Sequence, residues 1–172
     1  MALHVDGINT STSSNSLGGN AFVRTNREYL AGGNPKAGAT SGWVVNAGTN
    51  VFEATLPASQ TGSTLIVPLT GLCAGDTITG FRVVAQIESG GNTVTVDADL
   101  RAETNVAADP TDASIGAITQ VSVTADTAMS ATKTGLTEVV SVTKRYYLLI
   151  TATTGASTDI RYLASWATVT TG

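Results

Sequence analysis

Two aspartates on one predicted strand are the first candidates for chemistry. Asp97 and Asp99 stand two residues apart in "TVTVDADLRAE", so they share one face of a strand at about 7 Å. Such a pair of carboxylates could cleave a glycosidic bond by acid–base catalysis. A solvated strand face carries the same pairs for solubility alone, and that simpler interpretation is preferred.

Other ligand and nucleophile types are sparse. Asp109 and Asp112 in the loop "DPTDAS" could offer oxygen ligands to calcium, although the same letters form an ordinary turn. His4 is the only histidine and Cys73 the only cysteine, so a nucleophilic triad, an intrachain disulfide and an ordinary transition-metal site are excluded. No glycine-rich phosphate loop or nucleophile elbow occurs. We expect no enzymatic activity, no cofactor and no metal.

The aromatic residues suggest a different function, a stacking platform for sugar rings. The candidates are Trp43, Tyr146, Tyr147, Tyr162 and Trp166. They lie within apolar strand sequences, and aromatic residues make up only 5% of the chain. Packing in a core or at an interface therefore explains them more simply.

Composition excludes several classes of partner. The chain has 172 residues, enough for one domain, with 13% charged residues and a net charge of −4. A weakly acidic surface with few lysines does not suit nucleic acid, and it lacks the polybasic segment that attaches proteins to anionic membranes. The first residues lack the features of a secretory signal, so we expect assembly in the cytoplasm. Low charge favours burial of the surface against further copies or a larger assembly.

The elements that would position these residues are β-strands. Across residues 41–172, apolar and polar residues alternate in short runs between turns, which predicts an all-β, antiparallel two-sheet sandwich, jelly-roll-like in topology. Two strong hairpins are predicted, "TITGFRVVAQIES" with "TVTVDADLRAE" and "KRYYLLITAT" with "DIRYLASWATVT". The strands "GWVVN" and "NVFEATL" are also separated by a gap of hairpin size. A polar loop is predicted at residues 104–114, followed by a strand and then a short strand and loop up to residue 143.

Side-chain patterns refine the two predicted hairpins. In the first, alternation predicts one apolar face, which includes Phe81, Val83, Val94 and Val96, and one solvated face, which includes Arg82 and Gln86. On the solvated face, Asp97, Asp99 and Arg101 would complement Arg82 and Glu88 across the strands. In the second, both faces are apolar, and the last strand alternates two sets of side chains. One set is Ile160, Tyr162, Ala164 and Trp166, and the other is Leu163, Ala167 and Val169.

Residues 1–40 differ from the rest of the chain. They contain "INTSTSSNSLGGN" and show no sustained hydrophobic period, and only "VRTNREYL" at 23–30 is predicted to form a helical turn or two. Ordering each residue costs about 1–2 kcal/mol, which this segment cannot offset alone. We therefore predict an extended N-terminal anchoring arm over residues 1–40 that binds a partner through scattered apolar side chains. These are Val5, Ile8, Leu17, Phe22, Val23, Tyr29 and Leu30.

The glycine- and threonine-rich sequence of residues 42–172 resembles those of the small jelly-roll structural proteins of tailed bacteriophages. The resemblance rests on "AGDTITGFRVVAQIESGGNTVTVDADLR" and on the closing "RYYLLITATTGASTDIRYLASWATV". It implies a homotrimer on the virion surface, attached by its N-terminal segment to the major capsid protein or another virion protein. We predict a capsid cement or decoration protein that stabilises the phage head. The alternative is a fibre or receptor-binding module that recognises bacterial surface carbohydrate.

Overall fold

The chain folds into two layers of β-sheet. The computed structural model describes residues 27–30, 36–37, 41–47, 52–89, 94–104, 110–123 and 128–170, which form eleven strands. They are β1 (Arg27–Leu30), β2 (Lys36–Ala37), β3 (Val44–Ala47), β4 (Phe52–Leu56), β5 (Ser63–Pro68), β6 (Thr77–Ser89), β7 (Val94–Thr104), β8 (Thr111–Val123), β9 (Ala128–Val139), β10 (Lys144–Thr153) and β11 (Asp159–Thr170). The described residues contain no helical segment with the length and hydrophobicity that a bilayer crossing requires.

Every described strand pair is antiparallel. The six-stranded sheet has the order β3-β4-β11-β6-β9, and β1 also pairs with β11. The five-stranded sheet has the order β2-β5-β10-β7-β8. This arrangement confirms the predicted all-β, antiparallel two-sheet sandwich.

The core lies between the sheets and is built from alternate residues of the central strands. Its largest fully buried side chains are Phe81, Leu56, Leu65, Ile78, Leu100, Leu148, Ile150, Ile160, Val67, Val83 and Val94. Burying one such aliphatic or aromatic side chain contributes about 1.5–3 kcal/mol. The intervening residues of the same strands form the two outer faces, which are thus held on a well-packed support.

The two strong hairpins predicted from the sequence are wrong, whereas β3 and β4, which were predicted to be separated by a gap of hairpin size, do pair. β6 pairs with β11 and β9 in the six-stranded sheet, whereas β7 pairs with β10 and β8 in the five-stranded sheet. β10 and β11 also belong to different sheets. The chain therefore crosses between sheets at each of these turns, as jelly-roll connections do. Alternation with a period of two identifies the inner face of a strand, but it does not say which sheet the strand joins.

The predicted complementarity between β6 and β7 is wrong for the same reason. Arg82 lies on the outside of one sheet, and Asp97, Asp99 and Arg101 lie on the outside of the other. The region after β7 also differs from expectation. β8 begins at Thr111, inside the predicted loop, and residues 128–139 form one long strand instead of a short strand and a loop.

Strand pairing begins before residue 41. β1 pairs with the C-terminal half of β11, with Arg27 opposite Val169 and Leu30 opposite Trp166, and β2 pairs with β5. The helical turn predicted at 23–30 is therefore wrong over residues 27–30, which form a strand. Tyr29 and Leu30, two of the predicted arm anchors, belong to this strand of the sandwich itself.

The other predicted anchors lie outside the described residues, so the division into an arm at 1–40 and a domain at 41–172 stays a prediction. These anchors are Val5, Ile8, Leu17, Phe22 and Val23.

Candidate functional site

The structure divides the five aromatic candidates into core residues and surface residues. Trp43, Tyr146 and Tyr162 are each 5% exposed, so the core interpretation is confirmed for them. Tyr147 and Trp166 are half-buried and lie on outer faces. Tyr147 belongs to the five-stranded sheet and Trp166 to the six-stranded sheet.

The buried aromatics have their polar atoms satisfied inside the sandwich. Trp43 Nε1 donates to the carbonyl oxygen of Ser63 at 3.1 Å. The hydroxyl of Tyr162 lies 2.8 Å from Ser165 Oγ, and burial raises the pKa of Tyr162 to about 12. Because their hydrogen-bonding groups are used internally, these side chains serve stability and not ligand binding.

A β-bulge in β11 turns Trp166 outward. The register between β11 and β6 shifts between Tyr162 and Ala164, which inserts an extra residue and reverses the alternation beyond it. Tyr162 and Ser165 are therefore both buried, while Ala164 and Trp166 face outward. The sequence pattern alone had placed Trp166 on the same side as Tyr162.

We call the outer face of the six-stranded sheet around Trp166 the tryptophan face, and define it by Arg82, Gln86, Thr132, Arg161 and Trp166. Arg82 stands directly opposite Trp166, and Gln86 directly opposite Arg161, in the β6–β11 register. Thr132 stands opposite Arg82 on β9. The guanidinium carbon of Arg82 lies 4.3 Å from the Trp166 ring centroid, which is a cation–π contact worth about 0.5–1 kcal/mol at a surface.

Sequence reasoning missed Arg82 as the partner of Trp166. These residues are 84 positions apart in the numbering, and only the β6–β11 pairing brings them together. No local pattern carries that information, because the sequence had assigned β6 to pair with β7. The outward alternation of Arg82 and Gln86 was the one signal that placed them on a solvated face.

We call the opposite outer face, around Tyr147, the tyrosine face, and define it by Asp99, Arg101, Asp112, Ser114 and Tyr147. Arg101 Nη1 donates to Asp99 Oδ2 at 2.7 Å and its Nε donates to Asp112 Oδ2 at 2.8 Å. Ser114 Oγ donates to Asp99 Oδ1 at 2.5 Å.

Burial and these hydrogen bonds shift the pKa values of Arg101 and Tyr147. Burial acts to lower the pKa of Arg101, but its hydrogen bonds to Asp112 and Asp99 outweigh burial and raise that pKa well above its ordinary value. Burial, with a hydrogen bond to Asp112, raises the pKa of Tyr147. The tyrosine face is a network of mutually satisfied groups.

Two of the four aspartates predicted as candidates for chemistry, Asp99 and Asp112, take part in this network. Asp97 and Asp99 do share the outer face of β7, but Asp99 is bound by Arg101 and Ser114. Asp112 is bound by the same arginine, and Asp109 and His4 lie outside the described residues. Within the described ranges, no three His, Cys, Asp or Glu residues come together in a group that could hold a metal ion.

Comparison with known proteins concerns the fold. No protein-family model and no curated protein matches the sequence. Among solved structures, the chain is similar to the CBM22-2 xylan-binding domain of Paenibacillus barcinonensis Xyn10C, with 14% identity over 81% of this chain and 92% of that domain and a TM-score of 0.51. It is also similar to a CBM36 carbohydrate-binding module in complex with calcium and xylotriose (14% identity, 81% and 97% coverage, TM-score 0.46) and to the xylan-binding module CBM15 (13%, 86% and 96%, 0.46). The first likeness confirms the jelly-roll sandwich.

Proposed function

We propose that this protein is a non-catalytic carbohydrate-binding module that binds a polysaccharide across the tryptophan face. The observation that carries the proposal is the half-buried Trp166, held against Arg82 on the outer surface of a central strand pair. An indole ring packs against the C–H groups of a sugar ring. Guanidinium, amide and hydroxyl groups around it can bind the sugar hydroxyls.

The support under these side chains is rigid. β11 pairs with β6 along residues 159–170, and its other side pairs with β4 at residues 160–162 and with β1 at residues 166–169. Trp166 and Arg82 are therefore fixed on strands with neighbours on both sides. A preorganised site binds its ligand with a smaller entropic cost of ordering.

The length of the tryptophan face favours a polysaccharide over a single sugar as the ligand. Arg161 precedes Trp166 by five positions on β11, one of them in the bulge, which places the two at roughly 13 Å at strand rise. A hexose or pentose ring is much shorter than that distance. We infer that adjacent units of one polysaccharide contact Trp166 with Arg82 at one end and Arg161 with Gln86 at the other.

The fold supports this proposal, since the CBM22-2 domain with the same sandwich is described as xylan-binding. Xylan is for that reason the first polysaccharide to test, together with bacterial surface polysaccharides. The proposal shares carbohydrate binding with the alternative function predicted from the sequence, a phage fibre or receptor-binding module for bacterial surface carbohydrate. Attachment to a phage capsid stays a prediction, and the arm on which it depends lies mostly outside the described residues.

The test is a binding measurement on the full chain with soluble polysaccharides. Affinity electrophoresis and calorimetry would use xylan, a mixed-linkage glucan, a mannan and bacterial capsular polysaccharides. We expect at least one to bind the wild type, and Trp166→Ala to weaken that binding at least about 30-fold, since a central tryptophan contributes on the order of 2 kcal/mol or more to such interfaces.

The matched control is Tyr147→Ala, which removes the half-buried aromatic of the other face. It should bind within about twofold of the wild type, because its ring is outside the proposed site. Absence of binding across the panel, combined with co-sedimentation with phage heads, would overturn the proposal in favour of capsid attachment. Equal losses in both variants would also contradict it.

A further inference from the structure

We propose that one end of the sandwich is an interface between two copies of this chain. At this end the β9–β10 turn and the segment after β5 enclose a groove of about 350 Å³. Apolar side chains dominate its walls: Pro68, Leu69, Leu72, Val140 and Val142. This end groove lies apart from the tryptophan face and does not depend on the carbohydrate proposal.

Val142 is the most exposed large hydrophobic side chain among the described residues, at 86%. It occupies a central position of the turn that links β9 to β10, where the amide of Lys144 donates to the carbonyl of Ser141 at 3.2 Å. Such positions ordinarily take Gly, Asn, Asp or Pro. A β-branched apolar residue there has no local structural reason. Val139, before the same turn, is 57% exposed.

The turn that presents Val142 is held firmly. The amide of Ser141 donates to the hydroxyl of Tyr146 at 3.0 Å, and the amide of Thr143 donates to Ser141 Oγ at 3.2 Å. The hydroxyl of Tyr146 also donates to Glu138 Oε1 at 3.1 Å. Because the projecting side chain stands on an ordered turn, burying it on binding costs little conformational entropy.

Charge favours a second copy as the occupant over a charged partner. Lys144 Nζ is paired with Glu138 Oε1 at 2.7 Å, and Arg145 stands opposite Glu103 in the β7–β10 register. Lys144 is thus neutralised by an ion pair, and Arg145 has an acidic residue at the opposite position of the neighbouring strand. Two such ends can meet without the like-charge repulsion that would oppose self-association.

The arrangement is also self-complementary. Val142 projects from the rim of the same groove that would receive it, so a two-fold axis beside the turn lets each copy insert its Val142 into the groove of the other. Interfaces between identical chains related by a two-fold axis have this reciprocal form. The inference agrees with the low charge of the chain, 13% of residues, which favours burial of surface against further copies.

The experiment is sedimentation equilibrium of the full chain, under reducing conditions because Cys73 is exposed. Concentrations from about 1 µM to 1 mM cover the range of weak dimers. We expect a reversible dimer whose dissociation constant rises at least about tenfold in Val142→Glu. The matched control is Val44→Glu, the same substitution at a 49% exposed valine of β3, and it should leave the constant unchanged.

Hydrogen exchange of the wild type gives a second readout. Raising the concentration should slow exchange at residues 69–74 and 140–145, and not in β3 or on the tryptophan face. A chain that remains monomeric across the range overturns the proposal. So does an oligomer that Val142→Glu and Val44→Glu affect equally, or one whose protection lies elsewhere.

Discussion

Each outer face of the sandwich places an aromatic residue directly opposite an arginine of the neighbouring strand, yet the two pairs differ in chemistry. On the tryptophan face, Trp166 stands opposite Arg82, and the guanidinium stacks on the ring at 4.3 Å. On the tyrosine face, Tyr147 stands opposite Arg101, and the guanidinium is shared by two carboxylates at 2.7 and 2.8 Å.

The neighbours decide the difference. Asp99 and Asp112 flank Arg101 and use its donors in ion pairs, whereas Arg82 stands beside Thr132 on one side and Trp166 on the other. An aromatic residue opposite an arginine thus belongs to an ion-pair network on the tyrosine face and forms a stacked pair on the tryptophan face. The tryptophan face presents the indole of Trp166 with the guanidinium of Arg82 stacked on it.

The largest expected effect is a loss of stability at high pH, for which buried Tyr162 is compared with Tyr147 on the tyrosine face. Burial raises the pKa of Tyr162 to about 12, so between pH 10 and 12 the unfolded chain loses this proton while the folded chain keeps it. The free energy of unfolding should therefore fall by about 2 kcal/mol across that window from Tyr162 alone. Urea denaturation at several pH values would measure the slope.

Two variants separate the tyrosines. Tyr162→Phe should remove this part of the slope, because the phenolic proton is gone in both states. Tyr147→Phe should remove less, because Tyr147 is only half-buried. Contributions from all other groups are common to the three proteins and cancel in the difference. An unchanged slope in Tyr162→Phe would show that its hydroxyl is solvated.

Much of this fold follows from local pattern. The alternation in "TITGFRVVAQIES" and "TVTVDADLRAE" correctly identified the inner residues Phe81, Val83, Val94 and Val96. It did so because inward and outward environments differ sharply in polarity. The absence of strong helix signals and the spacing of the turns then favoured a two-sheet sandwich.

The pairing of the strands, in contrast, could not be predicted from the local sequence pattern. A short turn such as "TGAST" joins strands within one sheet or across two sheets equally well, and the choice depends on partners distant in sequence. The bulge before Ala164 places Trp166 on the opposite face from Tyr162, with which the sequence pattern had grouped it. The candidate site therefore required the three-dimensional pairing, although its tryptophan was among the residues singled out.

The next effect compares the two arginines. Arg101→Met leaves Asp99 and Asp112 side by side without their shared cation, and should lower the free energy of unfolding by about 1–2 kcal/mol. Arg82→Met removes a cation–π contact and should lower it by less, about 0.5–1 kcal/mol. Urea denaturation at pH 7 would give both values.

Polysaccharide binding should rank these variants in the opposite order. Arg82→Met should weaken binding about tenfold, because a stacked donor is lost from the proposed site. Arg101→Met should retain wild-type affinity while it remains folded. The comparison of the faces is contradicted if Arg101→Met loses affinity as Arg82→Met does, or if Arg82→Met is the more destabilised.

The smallest effect is the response of each face to salt. The ion pairs of Arg101 are partly exposed, with side-chain accessibilities of 23% for Arg101 and 41% for Asp112, so 1 M NaCl, with a Debye length of about 3 Å, should screen them. The stability difference between wild type and Arg101→Met should shrink by roughly 0.5 kcal/mol between 0.05 and 1 M salt. The cation–π contact that Arg82→Met removes should respond little to salt, because stacking on an aromatic ring is a close-contact interaction with a quadrupole and not with a formal charge. General salt effects on hydrophobic stability are common to all three proteins and cancel in both differences. A salt response as large for Arg82 as for Arg101 would mean that carboxylates, and not the indole, determine the position of Arg82.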